Sequence, residues 1–146
     1  MKITDNSHLD HGMTPAQIAH IAALFAGRAA FFIETFELPP ELGTVRCDLH
    51  GPVVGDAPVP PNECRERVRG ERVYPSRVCR RYPRQTRTVT VIAGPHLLDP
   101  CILYTAFGGP LAPREPGDPT LPPEQHEESA NFWAEHALSE EQPWPT

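Results

Sequence analysis

Between Thr86 and Pro110 the chain reads TRTVTVIAGPHLLDPCILYTAFGGP, its most apolar and most β-prone stretch. Thr88, Val89, Thr90, Val91 and Ile92 are consecutive β-branched residues, and such side chains suit a pleated, half-buried surface. Val89, Val91 and Ala93 fall on one face, Thr88 and Thr90 on the other, which is the period of two of a strand with one wet side. Cys101 to Phe107 is apolar on both faces apart from Thr105 and the Tyr104 hydroxyl, so it is expected to lie centrally in a sheet. Gly94-Pro95 is expected to end the first strand and Asp99-Pro100 to precede the second. A connection of about seven residues is too short for a crossover and predicts a hairpin.

Around this pair the other elements follow from local chemistry. Thr14-Pro15-Ala16-Gln17 predicts a helix start, with threonine as cap, proline at the first helical position and glutamine completing a capping box. Ile18, Ile21, Ala22 and Phe25 give that helix an apolar stripe, and Gly27 is expected to end it. Ala29 to Leu38 reads as a strand stopped by Pro39-Pro40. Thr44 to His50 alternates cleanly, with Val45, Cys47 and Leu49 on one side. Arg65 to Arg69 is read as a helical turn and Arg72-Val73-Tyr74 as a short edge strand. A final helix is expected after residues 110–123, capped by Thr120 or Asp118, with Glu124, Glu127 and Glu128 in its first turns and Ala130, Trp133, Ala134, Ala137 and Leu138 as its stripe.

The predicted architecture is α+β: an N-terminal helix, a mostly antiparallel sheet of four or five strands, a C-terminal helix and long proline-rich loops. With 19 prolines in 146 residues, much of the chain must be loop without ladder hydrogen bonds. The length fits a single domain over residues 1–146, with loose tails at 1–13 and 140–146. No stretch approaches the roughly 20 apolar residues of a membrane span, and the N-terminus lacks the apolar core of a secretion signal; a cytoplasmic protein with no membrane partner is expected.

Charge is segregated. From Arg65 to Arg87 there are nine arginines and two acids, giving +7 within a chain whose net charge is −6. Aromatics and prolines interleave in this arm. Arginine forks fit phosphate bidentately and tyrosine stacks on bases, so Arg72, Arg80, Arg81, Arg84 and Tyr82 are the candidates for holding RNA or single-stranded DNA. The competing reading is that the arginines pair with acids, whether the chain's own, an acidic protein partner's or those of a second copy in a homodimer. His50 and His96 each stand at a strand end beside a Gly-Pro turn. With Arg77 and Tyr104 they are the candidate catalytic set for metal-free cleavage of RNA through its own 2′-hydroxyl, in which histidine moves the proton and arginine stabilises the phosphorane.

Cys47, Cys64, Cys79 and Cys101 show no zinc-knuckle or redox spacing. Cys47-x-x-His50 has ligand-like spacing, but three residues along a strand face opposite sides. A zinc site joining Cys47 or His50 to Cys64, Cys79 or His96 is the third alternative; no cofactor is expected. No P-loop, dinucleotide fingerprint, nucleophile elbow or HExxH motif is present. The order of helix then antiparallel sheet, with a basic surface and scattered His, Arg, Tyr and Thr, is similar to that of small metal-independent ribonuclease toxins. The likeness is one of architecture, and no residues carry over from it.

Overall fold

The computed structural model describes residues 2–3, 12–48, 65–76 and 85–136. In chain order these form β1 (Lys2–Ile3), α1 (Pro15–Leu24), β2 (Phe32–Glu37), β3 (Val45–Arg46), β4 (Arg65–Arg69), β5 (Arg72–Ser76), β6 (Gln85–Thr86), β7 (Thr88–His96), β8 (Asp99–Gly108) and α2 (His126–His136). Short 3-10 turns occupy Pro40–Leu42 and Pro123–Gln125. The fold is α+β, with one helix early, one late, and mostly antiparallel strands between them. Among the described residues no helix is long and apolar enough to cross a membrane. The chain divides into two compact units, Met1–Asp48 with Pro83–Leu111 and Leu49–Tyr82 with Ala112–Thr146.

The first unit is built on a four-stranded sheet in the order β1-β8-β7-β2. β8 lies centrally, as its two-sided apolar pattern demands. Val89, Val91 and Ala93 of β7 point into the core, where they meet Phe32, Leu103 and Ala106, Ile21 of α1 and Phe25 at the C-terminal cap of that helix. The helix starts with the predicted capping box: the Thr14 amide donates to Gln17 Oε1 at 2.9 Å and the Gln17 amide to Thr14 Oγ1 at 3.2 Å. The same glutamine is buried, and its Nε2 donates to the carbonyls of Leu42 and Thr44, tying α1 to the segment before β3.

The hairpin of β7 and β8 is tighter than its sequence predicts. Neither Pro95 nor Pro100 ends a strand; the turn is two residues, Leu97-Leu98, between paired His96 and Asp99. The prolines are tolerated because the register shifts between Gly94 and His96, and an irregular stretch needs fewer ladder donors. The strand expected over Thr44 to His50 contracts to Val45–Arg46, paired with β6, followed by an isolated bridge from Cys47 to Gly108; residues 49 and 50 lie outside the described residues. Alternation fixes which way side chains point, but a strand extends only as far as a partner runs beside it. At this crossing Gly108 is required: a Cβ there would overlap the Arg46 carbonyl oxygen and the Val45 side chain.

Candidate functional site

The second unit holds the basic hairpin. Arg65 to Arg69 is a strand, not a helical turn, and pairs with β5 across Gly70-Glu71. Gly70 has φ +62° at the first turn position, the place where a two-residue hairpin favours glycine. Cross-strand register puts Arg67 opposite Tyr74 and Arg69 opposite Arg72 on one face, while Val68 opposite Val73 and Glu66 opposite Pro75 take the other.

The arginine-bearing face meets an acidic loop. Arg67 Nε lies 3.3 Å from Glu115 Oε1, and Arg69 Nε lies 2.5 Å from Asp118 Oδ2. The buried Tyr74 hydroxyl donates to Glu115 at 2.9 Å and lies 3.5 Å from Asp118. Ser76 donates to the other Glu115 oxygen. Asp118 also accepts from the Thr120 amide at 2.8 Å and the Thr120 hydroxyl at 2.6 Å. Asp118 and Thr120 therefore close a turn inside the loop and do not cap the following helix. That helix is preceded by the 3-10 turn Pro123–Gln125, and its buried Ser129 and Trp133 hold the loop by donating to the Arg114 and Pro113 carbonyls.

The two carboxyls are driven apart electrostatically. Burial pushes the Glu115 carboxyl above its usual range, against the Ser76 and Tyr74 hydroxyls and the Arg67 guanidinium. For Asp118 burial acts in the same direction, but the Thr120 hydroxyl and amide and the Arg69 guanidinium outweigh it and hold the carboxyl below its usual range. The Tyr74 phenol is raised by burial and by Glu115 beside it. Burial works against the Arg69 charge, yet the Tyr74 and Asp118 contacts outweigh it and raise that group.

Beside this network lies a groove of about 580 Å³, its walls made largely by Pro75, Pro116, Pro119, Pro123, Leu121 and Ala130. Tyr74, Asp118 and His126 supply its polar edge. The carboxylates of Glu115 and Asp118 take guanidinium and hydroxyl partners, so the network holds the groove's shape.

The predicted site residues are dispersed. His50, Arg77, Arg80, Arg81, Tyr82 and Arg84 lie outside the described residues. Arg72 is exposed at the turn end of the basic hairpin, in the second unit. His96 and Tyr104 both belong to the first unit: Tyr104 stands where the register shifts, and its hydroxyl donates to the carbonyl of Pro95, the residue before the exposed His96. Cys47 is half-buried and Cys101 buried, and among the described residues no group of three His, Cys, Asp or Glu side chains is arranged to hold a metal ion.

Sequence reasoning alone singles out neither Glu115, Ser76 nor His126, and gives Asp118 only a capping role. Their signal was present in Pro-Arg-Glu-Pro-Gly-Asp-Pro-Thr, where two acids sit between prolines in a chain that also carries a concentrated basic arm. Comparison with protein-family models, with curated proteins and with solved structures finds no match to this chain.

Proposed function

We propose that the chain is a non-enzymatic interaction module that binds protein, its own copies included, through apolar surfaces held rigid by the arginine–carboxylate network. The observation that supports this reading most is that the hairpin's inward arginines are used within the unit: Arg67 and Arg69 form ion pairs with Glu115 and Asp118, beside an apolar groove. A frame whose charges are matched internally serves shape better than turnover. Light scattering of the purified chain over a range of concentrations tests it. A mass rising above the 16.2 kDa monomer, with no cleavage of added RNA, is the expected result. A monomer at every concentration counts against it.

A second reading, a nucleic-acid-directed domain that cleaves RNA without metal, is favoured by the bond from the Tyr104 hydroxyl to Pro95, the residue before the exposed His96. His96 would take the 2′-hydroxyl proton as that oxygen bonds to phosphorus and return it to the 5′-oxygen as the P–O5′ bond breaks, while Tyr104, already donating to Pro95, would orient the substrate by accepting. Exposed Arg72 and the arginines of residues 77–84 would hold phosphate. This reading predicts that fluorescent single-stranded RNA binds at low salt, that Arg80→Glu/Arg81→Glu loses binding, and that His96→Ala loses cleavage while EDTA has no effect. Absence of binding at low salt would remove it.

A further inference from the structure

The tip of the β7–β8 hairpin is the most exposed apolar feature among the described residues. Leu97 and Leu98 are 92% and 101% exposed. Leu97 also holds φ at +51°, a conformation that a bulky side chain adopts at a cost and that two-residue turns of this form normally give to glycine. Two leucines left uncovered by the described residues, the first in a conformation that disfavours leucine, are poorly explained as turn residues.

We infer that the Leu97-Leu98 tip of one copy seats in the proline-walled groove of a second copy. This rests on the interaction reading above and names its partner. The second copy is favoured because knob and groove occur on the same chain and complement each other. The tip offers two leucines; the groove, about 580 Å³, offers Pro116, Pro119, Leu121 and Ala130. The tip carries Asp99 and the groove edge carries the exposed His126, so an acid on one copy meets an imidazole on the other. A lipid surface is disfavoured: the segment Pro95 to Pro100 has an aspartate and no arginine or lysine, on a chain with net charge −6. A contact between two different patches is heterologous, and its small size makes it weak and concentration-dependent.

Sedimentation velocity on the full chain tests the pairing with a tip variant, Leu98→Asp, and a groove variant, Ala130→Phe. Where Ala130→Phe does not melt cooperatively, His126→Trp at the exposed edge replaces it. The wild type is expected to associate, and each variant alone to lose at least about ten-fold in affinity, the loss of one buried leucine. A one-to-one mixture should restore a heterodimer, because the tip variant keeps an intact groove and the groove variant an intact tip. A tip variant that associates like the wild type, or a mixture that stays monomeric, overturns the pairing while leaving self-association standing. A wild type monomeric throughout overturns both, and binding of that monomer to phosphatidylglycerol vesicles, lost in Leu98→Asp, would give the tip to a membrane instead.

Discussion

Leu97 and Gly108 show opposite relations between a residue and its backbone. At Leu97 the backbone would suit glycine, and the chain places leucine there. Leu97→Gly is therefore expected to raise stability by about 0.5–1 kcal/mol, read as a higher midpoint in urea, despite removing a large side chain. A loss of stability would mean that the leucine makes contacts in the folded monomer. At Gly108 the neighbour is backbone, the Arg46 carbonyl, which cannot swing aside as a side chain would. Gly108→Ala should cost about 3 kcal/mol or more, measured in the same way. The sequence shows both residues but neither constraint, because a close approach from residues sixty positions away is a tertiary fact. Gln17 is a middle case. Its role in the capping box is legible from spacing alone, whereas its second role, bonding the Leu42 and Thr44 carbonyls, depends on where that loop comes to rest.

Among the elements, the basic hairpin carries the most electrostatic consequence. Asp118, held below the usual carboxylate range, contributes stability that is present above about pH 4 and is lost as pH falls through its folded value. Glu115, pushed above that range, acts the other way: its contribution is complete below about pH 4 and declines as pH rises through its raised value. Asp118→Asn should thus fall further behind the wild type as pH rises across the acid range, and Glu115→Gln should close on it. Urea unfolding at a series of pH values checks this, and parallel curves for the two variants would contradict it. At neutral pH Asp118→Asn is expected to cost about 1–3 kcal/mol, less than a fully buried pair because Arg69 keeps 36% of its side chain exposed. Elements marked by apolar periodicity and capping, such as α1, β2, β7 and β8, were legible in the sequence. β4 escapes the apolar alternation that marks the other strands because its inward face is made of arginines. A period of two is sought in apolar residues, and here the inward residues are cations that acquire partners only when the acidic loop folds against them.

For the molecule as a whole, net charge sets how readily copies approach each other. The chain carries −6 at neutral pH and its isoelectric point is about 5.6. Repulsion between copies falls toward that point, so association of the wild type should be strongest near pH 5.6 and weaker by about pH 8 at low ionic strength, with added salt flattening the difference. Light scattering across pH at two salt concentrations measures it, and association that strengthens steadily toward alkaline pH would count against a contact limited by like charge. The α+β class was legible from the order of patterns along the chain; the division into two units was not, because the second draws together residues on either side of β7 and β8. The register shifts in that hairpin have a consequence for the chain's capacity to change. Because pairing is reset between Gly94 and His96, the turn beyond is uncoupled from the alternation that buries Val89, Val91 and Ala93. Evolution, or an engineer grafting a peptide between His96 and Asp99, can rewrite that tip without rewriting the sheet, which makes it a natural cassette for inserted sequence.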